Sequence, residues 1–141
     1  MSAARRDRVV LDTGVYVSGV IARGGSPDLI LRAWRRNVIE VVASPMLLDE
    51  LQRVLSRPKF ARYVTASEAQ EFVERVQRRA TVIVDPAKAQ SVTRDPGDDY
   101  LVALAEHAGA VLVSGDRDLL DADLPSLEVI TPRELVSRLG L

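Results

Sequence analysis

Short apolar runs rich in β-branched residues alternate with longer mixed segments along the chain, and this pattern predicts its secondary structure. The apolar runs indicate strands at 8–12, 38–43, 81–84, 110–114 and 127–130. The segments between them predict helices at 26–37, 45–56, 65–79, 96–108 and 132–139, with helical turns near 58–62 and 116–121. Strands that alternate with helices indicate βαβ units, so we expect an α/β fold with a mostly parallel sheet.

Several predicted helices begin with a capping side chain that is followed directly by proline. This pair of residues occurs at Ser26-Pro27, Ser44-Pro45, Asp95-Pro96 and Thr131-Pro132. Thr65 and Thr131 are also followed three residues later by glutamate, which is the spacing of a capping box.

Length and composition narrow the class of protein. A chain of 141 residues is expected to form a single domain over residues 1–141. It contains no apolar stretch of the roughly 18 residues that a membrane span needs. The absence of cysteine excludes disulfides and thiolate metal sites and fits a reducing compartment, so we expect a cytoplasmic protein with no membrane partner. The net charge of −1 does not by itself mark a nucleic-acid binder.

Acidic residues lie where the predicted strands end. Asp12 closes the first strand and Asp116 follows the fourth. Glu50 lies in the second turn of the helix after the second strand, and the pair Asp98 and Asp99 lies in the first turn of the helix after the third. Crossover helices start at the carboxyl edge of a parallel sheet, which is where sites form in such folds. We therefore expect these four segments to converge.

Four carboxylates gathered at one edge would repel each other and raise one another's pKa. A divalent cation removes this conflict, and oxygen ligands without His or Cys favour Mg²⁺ or Mn²⁺. Such an ion can polarise a phosphate and lower the pKa of an attacking water, so no histidine base is required.

Some of these acids also have a purely structural interpretation. Asp98 would lie at the third helical position after an Asp95 cap, where an acid favours the helix dipole. Asp118 could cap the turn that follows the fourth strand. Asp12 is harder to explain in this way, because an acid that closes an apolar strand is costly unless it has a function.

The triplet Asp12-Thr13-Gly14 also occurs at the catalytic carboxylate of aspartic proteases. Those enzymes are all-β and need two copies of the triplet, whereas this chain has one copy among many predicted helices. A receiver-like signalling domain is a further alternative, since it too clusters acids at strand ends. It would need a phosphoacceptor Asp near residue 50 and a late strand-end Lys, but the chain has Glu50 and only two lysines.

The order of the acids resembles that of the PIN domain (PilT N-terminus) family, in particular the VapC-like toxin components of toxin–antitoxin systems. The resemblance runs from "VVLDTGVYVSGVI" through "SPMLLDELQRVLSRPKF" and "DPGDDYLVALAEHAGAVLVSGDRDLL" to "VITPRELVSRL". It implies a three-layer α/β/α fold, often dimeric, and Mg²⁺- or Mn²⁺-dependent cleavage of single-stranded RNA. It also implies a cognate antitoxin that holds the toxin inactive.

The same resemblance implies roles for individual residues. The metal-binding and catalytic acids would be Asp12, Glu50, Asp99 and Asp116. The resemblance selects Asp99 over its neighbour Asp98. Helical position alone does not distinguish between these two acids. The supporting residues would be Thr13, Ser114, Asp118 and Asp98.

The chain departs from the family pattern at Gly14, where the family usually has Asn after Asp-Thr. That Asn generally supports the acidic cluster by hydrogen bonding, so its loss bears on activity more than on fold. A second functional hypothesis is therefore a catalytically weakened PIN domain that binds RNA or a protein partner.

Overall fold

In the described part of the chain, five parallel strands form a central sheet in the order β3-β2-β1-β4-β5. The computed structural model describes residues 6–87 and 96–141. Its strands are β1 (Asp7–Leu11), β2 (Ile39–Ala43), β3 (Thr81–Val82), β4 (Val111–Val113) and β5 (Val129–Ile130). Its helices are α1 (Thr13–Ile21), α2 (Ser26–Arg35), α3 (Pro45–Leu55), α4 (Ala66–Arg79), α5 (Asp99–Ala108), α6 (Arg117–Leu120) and α7 (Pro132–Leu139).

The predicted α/β class and three-layer α/β/α arrangement are confirmed. The chain moves outward from β1 to β2 and β3, then returns across the sheet to β4 and β5. Because parallel crossovers are right-handed, this reversal places helices on opposite faces of the sheet. Helix α1 packs against α2 and α3, while α5 packs on β1, β2 and β4. The central strands are apolar, and their buried residues form one continuous core with these helices.

Helix α1 was not expected from the sequence. Its nine residues include five β-branched residues and two glycines, which are poor helix formers. Packing overrides this weak propensity, because Tyr16 is buried and makes edge-to-face contacts with Trp34 and Phe72. Gly19 allows α2 to approach, since a Cβ at this position would lie 2.5 Å from Leu31 Cδ1.

The capping predictions are largely confirmed. Ser44 accepts a hydrogen bond from the Leu47 N–H, and Thr65 and Thr131 each form a complete capping box. The Ser26 prediction is wrong, because Gly25 occupies the N-cap and Ser26 is already the first residue of α2.

The start of the fifth helix also differs from the prediction. Asp95, the expected cap, lies outside the described residues. A 3-10 turn at Pro96–Asp98 precedes the α-helix, so Asp98 is the N-cap of α5 and not its third residue. In the part of the chain that the structure describes, no helix is both long and apolar enough to span a membrane.

Candidate active site

The candidate site lies where β1 and β4 end side by side. Crossovers leave these neighbouring strands in opposite directions, which opens a crevice at the carboxyl edge of the sheet. Asp12 follows β1 directly, and its N–H donates to the Val113 carbonyl of β4 at 3.0 Å. The backbone of the first acid is therefore tied to the strand that leads to Asp116.

One buried hydroxyl connects Asp12 and Asp116. Ser114 Oγ donates to Asp12 Oδ2 at 2.7 Å and accepts from the Asp116 N–H at 2.9 Å. Ser114 has no exposed surface, so this hydroxyl has a fixed environment. Thr13 Oγ1 donates to the other Asp12 oxygen at 3.3 Å. The structure thus places Ser114 and Thr13, both expected as supporting residues, in contact with Asp12.

Asp116 is also the N-cap of α6, and its Oδ1 accepts from the Asp118 N–H at 2.9 Å. Asp116 therefore caps this turn, where the sequence had suggested Asp118. Asp118 contributes its backbone N–H to this cap. Its side chain is not among the described side chains that line the cleft.

Glu50 reaches the same region from α3 and is held by a residue of α5. The Tyr100 hydroxyl donates to Glu50 Oε2, and the Arg53 guanidinium lies 3.5 Å from Glu50 Oε1. Burial raises the pKa of Tyr100 well above its usual value, and the hydrogen bond to Glu50 and the charges of Asp12 and Asp98 raise it further. Tyr100 consequently remains a protonated donor at any physiological pH.

An open cleft of about 540 Å³ lies at this edge of the sheet. The acids that line it are Asp12, Glu50, Asp98 and Asp116. Asp99, to which the resemblance gives a ligand role, is the first residue of α5 and is only 3% exposed. The structure therefore brings Asp98 to the cleft surface, together with three of the four acids expected there.

The donor chemistry of the cleft fits a hard divalent cation. Within the described residues, no three acidic or histidine side chains are grouped closely enough to form a closed metal cage. Mg²⁺ usually binds through one or two carboxylates and keeps several waters, so it does not need such a cage. The pair Asp12 and Asp116, joined through Ser114, suits this mode of binding.

Several residues of the candidate site were not predicted from the sequence. Tyr100 was not expected, because its partner Glu50 is 50 residues away in the chain. Arg57, Lys59 and Phe60 also line the cleft. They belong to the "RPKF" segment of the motif that contains Glu50, but nothing in their spacing indicated that they face the acids.

A family model and one relative each match most of this chain. A family model described as PIN domain matches residues 8–118. The uncharacterized protein MJ1680 of Methanocaldococcus jannaschii is 28% identical over 138 residues, which cover 92% of this chain and 89% of that protein.

Solved structures show similar folds. PAE2754 from Pyrobaculum aerophilum has a TM-score of 0.65 and 18% identity, over 96% of this chain and 90% of its own. DNA-bound VapBC from Salmonella typhimurium has a TM-score of 0.64 and 15% identity, over 89% and 98%. VapBC2 from Rickettsia felis, bound to a DNA fragment from its promoter, has a TM-score of 0.63 and 18% identity, over 88% and 98%. At this level of identity the likeness concerns the fold.

Proposed function

This chain belongs to the PIN domain family, and from that premise we propose that it hydrolyses single-stranded RNA with a bound Mg²⁺ or Mn²⁺ ion. PIN domains are generally nucleases and typically use divalent metals. The observation that carries the proposal is the convergence of Asp12, Glu50, Asp98 and Asp116 on one cleft at the reversal point of the sheet.

We assign the direct metal contacts to Asp12 and Asp116, with Glu50 contributing directly or through a water. Asp99 is retained as the fourth acid on the basis of the family resemblance, and Asp98 beside it adds negative charge at the cleft surface. When bound, the metal would supply Lewis-acid polarisation of the phosphate and a water of lowered pKa.

The side chains around these acids supply orientation. Ser114 and Thr13 each donate to one oxygen of Asp12, which fixes the plane of that carboxylate. Tyr100 fixes Glu50 in the same way. Such outer hydrogen bonds typically contribute about 10–100-fold to metal affinity or activity.

For the cellular role we propose the toxin of a toxin–antitoxin pair, with a cognate antitoxin as protein partner. The motif resemblance to VapC-like toxins and the fold similarity to VapBC proteins support this role. We further propose that residues 1–141 form one domain and that the protein is cytoplasmic and homodimeric.

The direct test is cleavage of end-labelled single-stranded RNA in Mn²⁺, Mg²⁺ or EDTA. We expect cutting in either metal that leaves 5′-phosphate ends, and none in EDTA or with the variant that combines Asp12→Asn and Asp116→Asn. Cutting that survives both EDTA and the double substitution would contradict the proposal.

Gly14 supports a second candidate, a weakened PIN domain that works by binding. Gly14 lines the cleft without a side chain, at the position where the family usually has an amide. On this alternative the wild-type protein binds single-stranded RNA but does not cut it in either metal.

A further inference from the structure

The cleft that contains the acids also contains two cations. The acidic and the basic side chains occupy different positions along the wall that α3 begins. Glu50 and Val54 line the cleft from one face of this helix, one turn apart. Arg57 and Lys59 continue the same wall in the 3-10 turn that follows. Helix α1, which also lines the cleft, carries no charged residue.

The local structure orders the turn that carries these two cations. Pro58 restricts the backbone of the turn, and the Phe60 N–H closes it by donating to the Arg57 carbonyl at 3.0 Å. Lys59 Nζ lies 5.1 Å from the centroid of the Phe60 ring, which packs against the core. The ammonium group therefore rests on a fixed aromatic surface.

Both charges are available to a ligand. In the described part of the chain, neither Arg57 nor Lys59 forms one of the observed ion pairs with a carboxylate. Both side chains belong to exposed residues.

We propose that Arg57 and Lys59 bind backbone phosphates of the RNA next to the scissile bond, an inference that rests on the proposed nuclease function. A polyanion that enters the acidic end meets four carboxylates, and one divalent ion neutralises only half of their charge. Cations beside the acids offset the remaining repulsion. The charged wall that begins with α3 therefore sets the path of the strand, whereas the α1 residues that line the cleft carry no charge.

The geometry also gives the approximate position of these contacts. Leu55, at the end of α3, comes five positions after Glu50, which corresponds to a rise of about 8 Å. Arg57 and Lys59 therefore contact phosphates beyond the scissile one, and not the phosphate that is cut. Phosphate contacts carry no base information, so these residues contribute affinity for any sequence.

The test measures binding of a short fluorescein-labelled oligouridylate by anisotropy, with Ca²⁺ in place of the catalytic ion. A gel after each titration verifies that the oligonucleotide is intact. The test variants are Arg57→Gln, Lys59→Gln and the double substitution. Arg62→Gln is the matched control, because Arg62 is an exposed cation of the same segment that does not line the cleft.

We expect the double variant to bind about tenfold more weakly, while Arg62→Gln binds like the wild type. The slope of log affinity against log salt should fall by about 1.4, which corresponds to about 0.7 for each lost phosphate contact. In Mn²⁺, KM should rise and kcat stay within about twofold, because the lost contact acts equally on substrate and transition state.

Two results would overturn the inference while leaving the nuclease intact. One is unchanged binding by the double variant, and the other is an equal loss with Arg62→Gln, which would indicate a general charge effect. If the wild-type protein itself neither binds nor cuts RNA, the proposed function fails and the inference fails with it.

Discussion

At the scale of single residues, the candidate site depends on two buried hydroxyl groups. Ser114 holds Asp12 and Tyr100 holds Glu50, so each of these acids has one donor from another element. The family resemblance predicted Ser114, which directly precedes the Gly115-Asp116 pair. Tyr100 could not be predicted, because its contact with Glu50 depends on how α5 packs relative to α3.

Tyr100→Phe tests this arrangement at the residue scale. The ring still fills its buried position, but Glu50 loses the donor that orients it. We expect Mn²⁺ affinity and cleavage rate to fall about tenfold, as is typical when an outer hydrogen bond of a metal site is removed. The measurement is Mn²⁺ calorimetry with a parallel RNA cleavage assay.

The exposed Tyr63 provides the matched control, because Tyr63→Phe removes a hydroxyl that does not line the cleft. Retention of full Mn²⁺ affinity by Tyr100→Phe would show that Glu50 needs no such positioning. A change in thermal unfolding without a change in metal affinity would assign Tyr100 a purely structural role.

At the scale of elements, the strands and most helices were predictable because their hydrophobic patterns agree with local propensity. Helix α1 was not, since its residues favour strand or turn and its helical form depends on contacts with α2, α3 and α4. The start of α5 was misjudged for a related reason. Two adjacent acids, Asp98 and Asp99, fit either a cap or a first turn. The 3-10 turn Pro96–Asp98 makes Asp98 the N-cap and Asp99 the first residue of α5.

The unexpected helix changes the meaning of Gly14. Gly14 lies in the first turn of α1 and has no positive φ, so any L residue can adopt its backbone conformation. A Cβ added at this position would have no atom within 4 Å. The cleft therefore has room for the side chain that the family usually carries at this point.

We expect Gly14→Asn to tighten Mn²⁺ binding and raise the RNA cleavage rate, by up to the 10–100-fold that outer support typically contributes. The amide can hydrogen-bond a neighbouring carboxylate, and the helix loses a glycine. Gly14→Ala separates these effects, because it improves helix propensity by about 1 kcal/mol without adding an amide. Equal activity of Gly14→Asn and Gly14→Ala would show that the amide contributes nothing.

At the scale of the whole molecule, the fold brings together charges that disfavour each other. Asp12, Asp98, Asp116 and Glu50 share one cleft, so without a cation their repulsion opposes folding. A metal that binds only the folded state stabilises it by mass action, by about 2.7 kcal/mol at a concentration 100 times its Kd. Folding stability and metal binding should therefore be coupled in this protein.

The double substitution Asp12→Asn and Asp116→Asn tests this coupling. Asn caps a helix as well as Asp, so α6 keeps its N-cap, and an amide oxygen at residue 12 can still accept from Ser114. With EDTA we expect the variant to be no less stable than the wild type, because two repelling charges are gone. With saturating Mn²⁺ only the wild type should gain stability, which urea unfolding measures directly. Equal gains by both proteins would place the ion elsewhere, since Asp12 and Asp116 would then contribute nothing to its binding.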